Sequence, residues 1–430
     1  MFLSQQEKDI LKNKEDTILA RYMNILVRWG EAMGAARMVP VNNVHAVLCS
    51  KGNYLKKASQ TTIDREIYHL KEVCSRKVRC FTTTHASYMD LRIWRELGIN
   101  EKQAGLQHKL LDWGRKAGFL MTWTCAPYLV GNVPTKGEIC AWTESSAVVY
   151  ANSIIGARTT RHGDVSALAA AMLGIVPKFG VLLKENRKGD FVVDVQVKLS
   201  TYSDWGALGY YIGKVAGLRI PVFRGVESIT LEDAKQLSAA LASSGGVTMF
   251  HIVGLTPEAA TLENAFQSSR ADKVIRFDNQ DLRNTYQIFN TRVSGYQIDN
   301  VVLGCPHASL KELKQIAELL EGKKVSRNLN LWICTAYGVA MDAKRSGYLK
   351  IIEDAGGKVL CDTCLVNCRP SLFMQGKRMA TNAFKQAHYA QNFGMEVFMT
   401  NVQHCIDIAI KGAIGRNSVF LLDSGDKNGG

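Results

Sequence analysis

Three short apolar or β-branched runs, each leading to a cysteine, constrain the fold of this chain most. Residues 119–124 lead into Cys125, residues 301–304 into Cys305, and residues 358–363 into Cys364. Each run is bounded by glycine and reads as a buried strand. In open α/β sheets, ligands sit beyond the carboxyl ends of the strands. Three thiols far apart in sequence are therefore placed to converge on one point. Thiolate is a soft ligand that selects iron–sulfur clusters, zinc or copper. The spacing matches neither a local zinc finger nor a ferredoxin run. Free cysteine is also among the most buried residue types, so three inert core thiols are an equal alternative from position alone.

The surrounding sequence alternates strand and helix signals. Residues 245–254 read as a strand, and Thr256-Pro257 as the start of a helix, with threonine as N-cap and proline at the first helical position. After Cys305 comes a capping box, Ser309 with Glu312, opening a helix whose apolar face is Leu310, Leu313, Ile316, Ala317 and Leu320. Residues 329–334 read as a strand, followed by a helix toward Asp354, a stop at Gly356-Gly357 and a strand at 358–361. Such alternation argues for parallel sheets flanked by helices. The part before Phe119 reads as mostly helical, with Ile18, Leu19, Tyr22, Ile25, Leu26 and Trp29 at near-helical spacing. The expected fold is α/β, with a helical N-terminal region (1–118) and two lobes (119–255 and 256–430) around a cleft.

Composition excludes several classes. No apolar run reaches the roughly 18 residues of a membrane span, and the amino terminus lacks the pattern of a secretory signal. A cytoplasmic location, without membrane contact, is expected. Eleven cysteines, an odd number with no signal sequence, argue against a disulfide framework. The formal charge is +14, from 53 Lys and Arg against 39 Asp and Glu. The basic residues are scattered, as at Lys56-Lys57, Arg76-Lys77 and Lys323-Lys324, which points to an anion-attracting surface and not to nucleic-acid binding.

Several motifs then occur in a fixed order: Cys125-Ala126-Pro127-Tyr128, Trp142-Thr143-Glu144-Ser145-Ser146-Ala147, Tyr150-Ala151-Asn152-Ser153 and Gly156-Ala157-Arg158-Thr159. Further on come Asp204-Trp205-Gly206-Ala207, Phe250-His251-Ile252-Val253-Gly254, Gly304-Cys305-Pro306-His307, Asp362-Thr363-Cys364 and Thr381-Asn382-Ala383-Phe384-Lys385. Over nearly its whole length the chain resembles the large subunit of aconitase X, a family of iron–sulfur hydro-lyases. The resemblance implies an architecture related to the first three domains of aconitase. It places cluster-ligand roles on Cys125, Cys305 and Cys364 and on no other cysteine. Cys334, which also ends a strand, is the main rival; Cys361 should lie inside its strand; Cys49, Cys74, Cys80, Cys140, Cys368 and Cys405 read as structural or surface thiols. The implied cofactor is an iron–sulfur cluster or a mononuclear iron. Three protein thiolates would leave an iron position open to polarise a substrate hydroxyl and carboxylate. The residue pattern alone would equally permit electron transfer or a structural zinc.

Within the matched segments, Arg158 reads as an anion clamp, since guanidinium grips carboxylate or phosphate through two hydrogen bonds. Asn132, Asn152 and Asn382 are the other expected substrate contacts. Ser145, Ser146, Lys385 and His45 are the expected catalytic groups. His307 follows a ligand, and a hydrogen bond near the cluster is as good a reading as core packing. One departure stands out. The family carries a serine before the phenylalanine–lysine step where this chain has Ala383, which can neither hydrogen-bond nor move a proton. No segment resembles the family's small swivelling domain, so a separate small subunit is expected to complete the cleft. The leading substrate is cis-3-hydroxy-L-proline, with mevalonate 5-phosphate as the alternative and a non-catalytic iron–sulfur protein as the competing class.

Overall fold

Parallel pairing between strands far apart in sequence organises the computed structural model, which describes residues 1–48, 60–290, 297–364 and 377–415. The first sheet places β2 (Asn43–Ala46) between β3 (Phe81–Thr84) and β4 (Cys140–Trp142). Beside it, β1 (Met38–Pro40) pairs antiparallel with β5 (Ile175–Pro177). The second sheet has the order β8-β7-β6-β9, with β6 at Phe191–Val195, β7 at Pro221–Arg224, β8 at His251–Ile252 and β9 at Val274–Phe277. The third is ordered β12-β11-β10-β13-β14: β10 Asn300–Ala308, β11 Asn330–Thr335, β12 Lys358–Cys361, β13 Arg378–Thr381 and β14 Glu396–Met399. All pairings in the three sheets are parallel. Parallel strands need crossover connections, and the helices supply them while covering the sheets.

The expected α/β class holds, but sheet membership divides the chain differently from the boundaries at 118 and 255. The segment before residue 118 contributes β2 and β3, which pair with β4 beyond it. Likewise β9 belongs with β6 in the second sheet. The strand expected over 245–254 shrinks to His251–Ile252. Thr256 caps no helix, because its hydroxyl is bonded to the backbone of Ile252; the next helix, Leu262–Phe266, is capped by Thr261. The capping box at Ser309 and Glu312 forms as expected, at the start of the helix Leu310–Leu320. The helix toward Asp354 is broken in two, Tyr337–Arg345 and Tyr348–Asp354, at Gly347 in the left-handed region.

All three parallel sheets have a switch point, where successive strands are added on opposite sides of a central one; in the second sheet β6 is flanked by β7 and β9. In the third sheet β10 is flanked by β11 and β13, and in the first β2 is flanked by β3 and β4. Binding crevices form outside the strand ends at such points. Side-chain alternation builds the core around β10: Val301 and Leu303 pack with Leu313, Ile316 and Leu320, while Val302 packs with Trp332, Leu360 and Phe384 on the other face.

The helices Tyr202–Ala216 and Leu231–Ser244 approach each other closely through Gly209 and Gly213. A Cβ at Gly209 would stand 2.7 Å from the Leu237 carbonyl oxygen and 2.9 Å from Ala240 Cβ. Both obstacles are rigid, and the second helix carries Lys235 toward the Cys305 segment. Gly209→Val should therefore destabilise the chain by about 2–3 kcal/mol through overpacking, read as a lower midpoint in urea denaturation.

Candidate functional site

The three cysteine-bearing segments meet at His307. Its backbone N–H donates to Cys125 Sγ at 3.2 Å. Its ring Nε2 lies 3.0 Å from the Thr363 carbonyl oxygen and its Nδ1 3.1 Å from Thr124 Oγ1. A carbonyl can only accept, so Nε2 carries the proton and Nδ1 accepts from the threonine hydroxyl. One imidazole thus joins the residue before Cys125 to the residue before Cys364, and it lies two residues beyond Cys305. Burial pushes the ring down to about 4, so it is neutral at pH 7, as this tautomer requires. Behind it, the buried Lys235 donates to the carbonyls of His307 (2.9 Å) and Pro306 (3.3 Å) and pairs with Glu312, the capping-box acid. Cys364 N–H is held by the Ser87 carbonyl at 2.9 Å.

The run before Cys125 is not the strand its composition suggests. Residues 120–124 track β3 through Leu120 N–H to Thr82 O and Thr124 N–H to Thr84 O, but Trp123 sits at φ 35° and breaks the ladder. Cys305 lies within β10, directly after Gly304 at φ 83°, where an added Cβ would meet the Cys334 carbonyl oxygen at 2.1 Å. Cys364 lies three residues beyond β12, after Asp362 at φ 59°.

The three thiols feel one another's charge. Burial pushes Cys125 well above the usual thiol range and Cys305 up to about 12, with the nearby Lys385 opposing both shifts. Among the described residues, no three His, Cys, Asp or Glu groups stand close enough to clasp a single metal ion. Three soft donors on separate segments are a donor set that fits an iron–sulfur cluster, whose irons take different cysteines. Cys334 feels the same three thiols, yet it is packed with Trp332 and Leu360 in the core of the third sheet. Cys361 is buried at the end of β12. Cys49 and Cys368 lie outside the described residues.

Beside the thiols, Lys385 crosses from the third sheet to the first. It stands in the first turn of the helix Phe384–Asn392, just after β13, and its ammonium pairs with Glu144 just after β4. The Glu144 carboxylate also accepts from His85 Nε2 at 2.7 Å and from the Ser146 hydroxyl at 2.8 Å, while Lys385 Nζ is 3.4 Å from Ser146 Oγ. Burial alone would raise the Glu144 carboxyl; the Lys385 charge and the His85 bond outweigh it and hold it well below its ordinary value. Burial alone would lower the Lys385 ammonium, and Glu144 reverses that shift.

His45 is fixed by a chain of hydrogen bonds. Trp142 Nε1 donates to Asn43 Oδ1 (2.8 Å), Asn43 to Asn132 (2.6 Å), and Asn132 to Thr83 Oγ1 (2.7 Å), which faces His45 Nδ1 at 2.9 Å. The rings of His45 and His85 are 6.0 Å apart. His45 Nε2 and His85 Nδ1 are both buried without a partner. Unpaired buried polar atoms in a crevice are groups available to a ligand or water.

The structure thus gathers Cys125, Cys305, Cys364, His45, Ser146 and Lys385, with Asn132 in support. Ser145 is half-buried on the same helix turn, outside these contacts. Asn382 gives its amide to the Tyr202 hydroxyl, and its Oδ1 is buried without a partner. Asn152 does not join them: its amide is consumed by Thr159, Thr248 and Arg187. Nor does Arg158, whose Nη1 donates to the Leu182 carbonyl at 3.1 Å. Arg158 pairs with Ile139 and Arg161 with Trp142, and in extended backbone residues three apart face opposite ways. Arg161 is the one within electrostatic reach of Glu144 and of Tyr389, which itself feels Lys385 and Cys305. Glu144 stands out in sequence only as part of a motif, and His85 lies in none of the motifs. Its signal is the β-branched run Phe81-Thr82-Thr83-Thr84 ending on a histidine.

Models of the aconitase X first, second and third domains match residues 1–185, 189–287 and 298–411. The phosphomevalonate dehydratase large subunit of Methanocaldococcus jannaschii is 38% identical over 403 residues, covering 91% of this chain and 96% of that one. The chain belongs to the aconitase X family. The cis-3-hydroxy-L-proline dehydratase of Hypocrea jecorina is 31% identical over 418 residues, 95% of this chain and 69% of that one. The crystal structure of Thermococcus kodakaraensis aconitase X in its holo-form superposes with a TM-score of 0.82 at 34% identity, covering 95% of this chain and all of that one. The chain is therefore a hydro-lyase of the aconitase X type, with the family's parallel sheets and flanking helices. Among the described residues no helix is long and apolar enough to cross a membrane.

Two outcomes follow from the buried imidazoles. His307→Phe keeps the ring volume but strands the Thr124 hydroxyl and the Thr363 carbonyl. It should cost about 2–4 kcal/mol in urea denaturation, the sum of two unmet buried groups. Burial also holds His45 and His162 down to about 3 and His307 down to about 4, below the ordinary 6.5. Their neutral forms support the fold fully above pH 6.5, and that support is lost as pH falls from there toward 4. The slope should approach about 1.4 kcal/mol per pH unit for each histidine. His162 packs edge-on to Trp29, away from the thiols, so the gap between denaturation midpoints at pH 7 and pH 5 should narrow in His162→Phe, with the part due to His45 and His307 remaining.

Proposed function

We propose that this chain is the large subunit of a two-subunit dehydratase for a small hydroxy acid, and that Cys125, Cys305 and Cys364 hold its iron–sulfur cluster. The observation that carries the reading is the Glu144–Lys385 pair, placed beside the three thiols where two sheet switch points face each other. When bound, the cluster would supply Lewis-acid polarisation of the substrate hydroxyl and carboxylate. The residues around it divide the remaining work. Lys385, kept protonated by Glu144, donates a proton to the departing hydroxyl or holds the substrate anion. His85 and Ser146 fix the Glu144 carboxylate. His45 Nε2 and His85 Nδ1 offer contacts to substrate oxygens, and Asn382 Oδ1 adds another. Ala383 supplies no hydroxyl, so the base that removes the proton beside the carboxylate belongs on the small subunit.

For the substrate, we favour mevalonate 5-phosphate over the hydroxyproline suggested by sequence alone. The match covers 96% of the M. jannaschii large subunit at 38% identity, against 69% of the H. jecorina hydroxyproline enzyme at 31%. Arg161 and Lys385 provide two cations for a phosphate and a carboxylate. The name of the archaeal relative as a large subunit also supports a separate small partner.

The test is anaerobic reconstitution of the chain with a co-expressed small subunit, assayed on mevalonate 5-phosphate and on cis-3-hydroxy-L-proline. Turnover of the first is expected, and turnover of the second alone would reverse the substrate choice. Full activity without the small subunit would refute the two-subunit reading. Cys125→Ser, Cys305→Ser or Cys364→Ser should each abolish the visible absorbance of the cluster, while Cys74→Ser should leave it intact. Lys385→Met should lower kcat by about a thousandfold, the scale of a lost general acid.

A further inference from the structure

A second cleft has a volume of about 730 Å³. Its walls come from the turn before β4, from Gly156 and Arg158, from Lys184, and from the segment between β8 and β9. It is separate from the thiol pocket. Arg158 pairs with Ile139, ahead of β4, and Glu144 follows the strand five residues later, about 16 Å away at the rise of extended chain.

The cleft is cationic and its chief cation is prepared for a ligand. Arg158 is half-buried; Leu182 O fixes one arm of its guanidinium, and Nε is buried without a partner. Lys136 is anchored through Pro257 O at 2.8 Å, and Lys184 is exposed. Of the acids lining the cleft, Glu258 is already bound to the buried Arg187, with contacts of 2.9 and 3.0 Å to Nε, which leaves Glu263. The wall is also closely built. At Gly156, φ 76°, an added Cβ would lie 3.1 Å from Pro257 and 3.2 Å from Lys136. Gln267 and Ser268 hold left-handed backbone without glycine, and the Gln267 amide bonds to Lys184 O at 2.8 Å. Non-glycine residues in that region cluster where a surface must keep a set shape.

We propose that this cleft is a second anion site, taking a small phosphorylated metabolite on Arg158, Lys136 and Lys184. A planar guanidinium with free N–H groups suits two phosphate oxygens, and the ammonium groups of Lys136 and Lys184 suit the remaining charge. The site is independent of the chemistry at the thiols. Arg158 keeps the anion-binding character that its sequence suggested, but at a different place.

The probe is inorganic pyrophosphate, titrated calorimetrically into the full chain at 150 mM salt. A saturable site that does not depend on Lys385 is expected. Arg158→Gln should weaken it by about tenfold or more, the loss of one charge-assisted contact. Lys184→Gln should weaken it less, and Lys385→Met should leave it unchanged. Matched thermal melts establish that each variant is folded. Absence of saturable binding, or equal affinity in Arg158→Gln, would overturn the proposal. So would loss of binding in Lys385→Met, which would place the anion in the thiol pocket. Loss of binding when the small subunit is added would instead make the cleft a protein contact, and would overturn it too.

Discussion

One neutral imidazole holds the site together. His307 is buried, and each of its ring nitrogens has a single partner of opposite hydrogen-bonding sense. That arrangement specifies its tautomer and fixes the distance between the Cys125 and Cys364 segments. Protonation would turn Nδ1 into a donor facing a hydroxyl that already accepts from Ala126 N–H. The three cysteine-bearing segments, far apart in sequence, would otherwise be positioned independently. Lys235 and Glu312 brace the same point from behind, through carbonyls of Pro306 and His307. A buried ion pair of this kind contributes little net stability after desolvation, and its use is to specify geometry.

Switch-point topology explains why the polar groups lie where they do. β2 and β10 are each flanked on both sides, so the crevice at each strand end is open to side chains from neighbouring loops. His85 and Glu144 arrive from the first sheet, Cys305 and Lys385 from the third. The tight glycine-mediated packing of helices Tyr202–Ala216 and Leu231–Ser244 then brings Lys235 against the Cys305 segment.

Much of this was legible in the sequence where local signals and tertiary structure agree. The capping box at Ser309, the strands ending near Cys305 and Cys364 and the α/β class all follow from composition and spacing. Legibility failed where the chain is irregular. The run before Cys125 has strand composition, but Trp123 at positive φ turns it out of the ladder. The first sheet has strands of only three or four residues between long helices, so its region reads as helical. Arg158 and Arg161 share a motif and differ by three positions, and only the observed pairing with Ile139 and Trp142 decides which faces Glu144. Asn152 resembles a ligand-binding amide in sequence because nothing local reveals that Thr159, Thr248 and Arg187 saturate it.

The Glu144–Lys385 contact has one more consequence. Its two ends belong to different sheets, so it is a clasp between lobes as well as a charge pair. An incoming carboxylate or phosphate competes with Glu144 for the same ammonium. Whatever anion takes Lys385 away therefore loosens the clasp, and the lobes and the anion share a single free energy. By reciprocity, anything that draws the lobes apart strengthens the hold of Lys385 on its new partner.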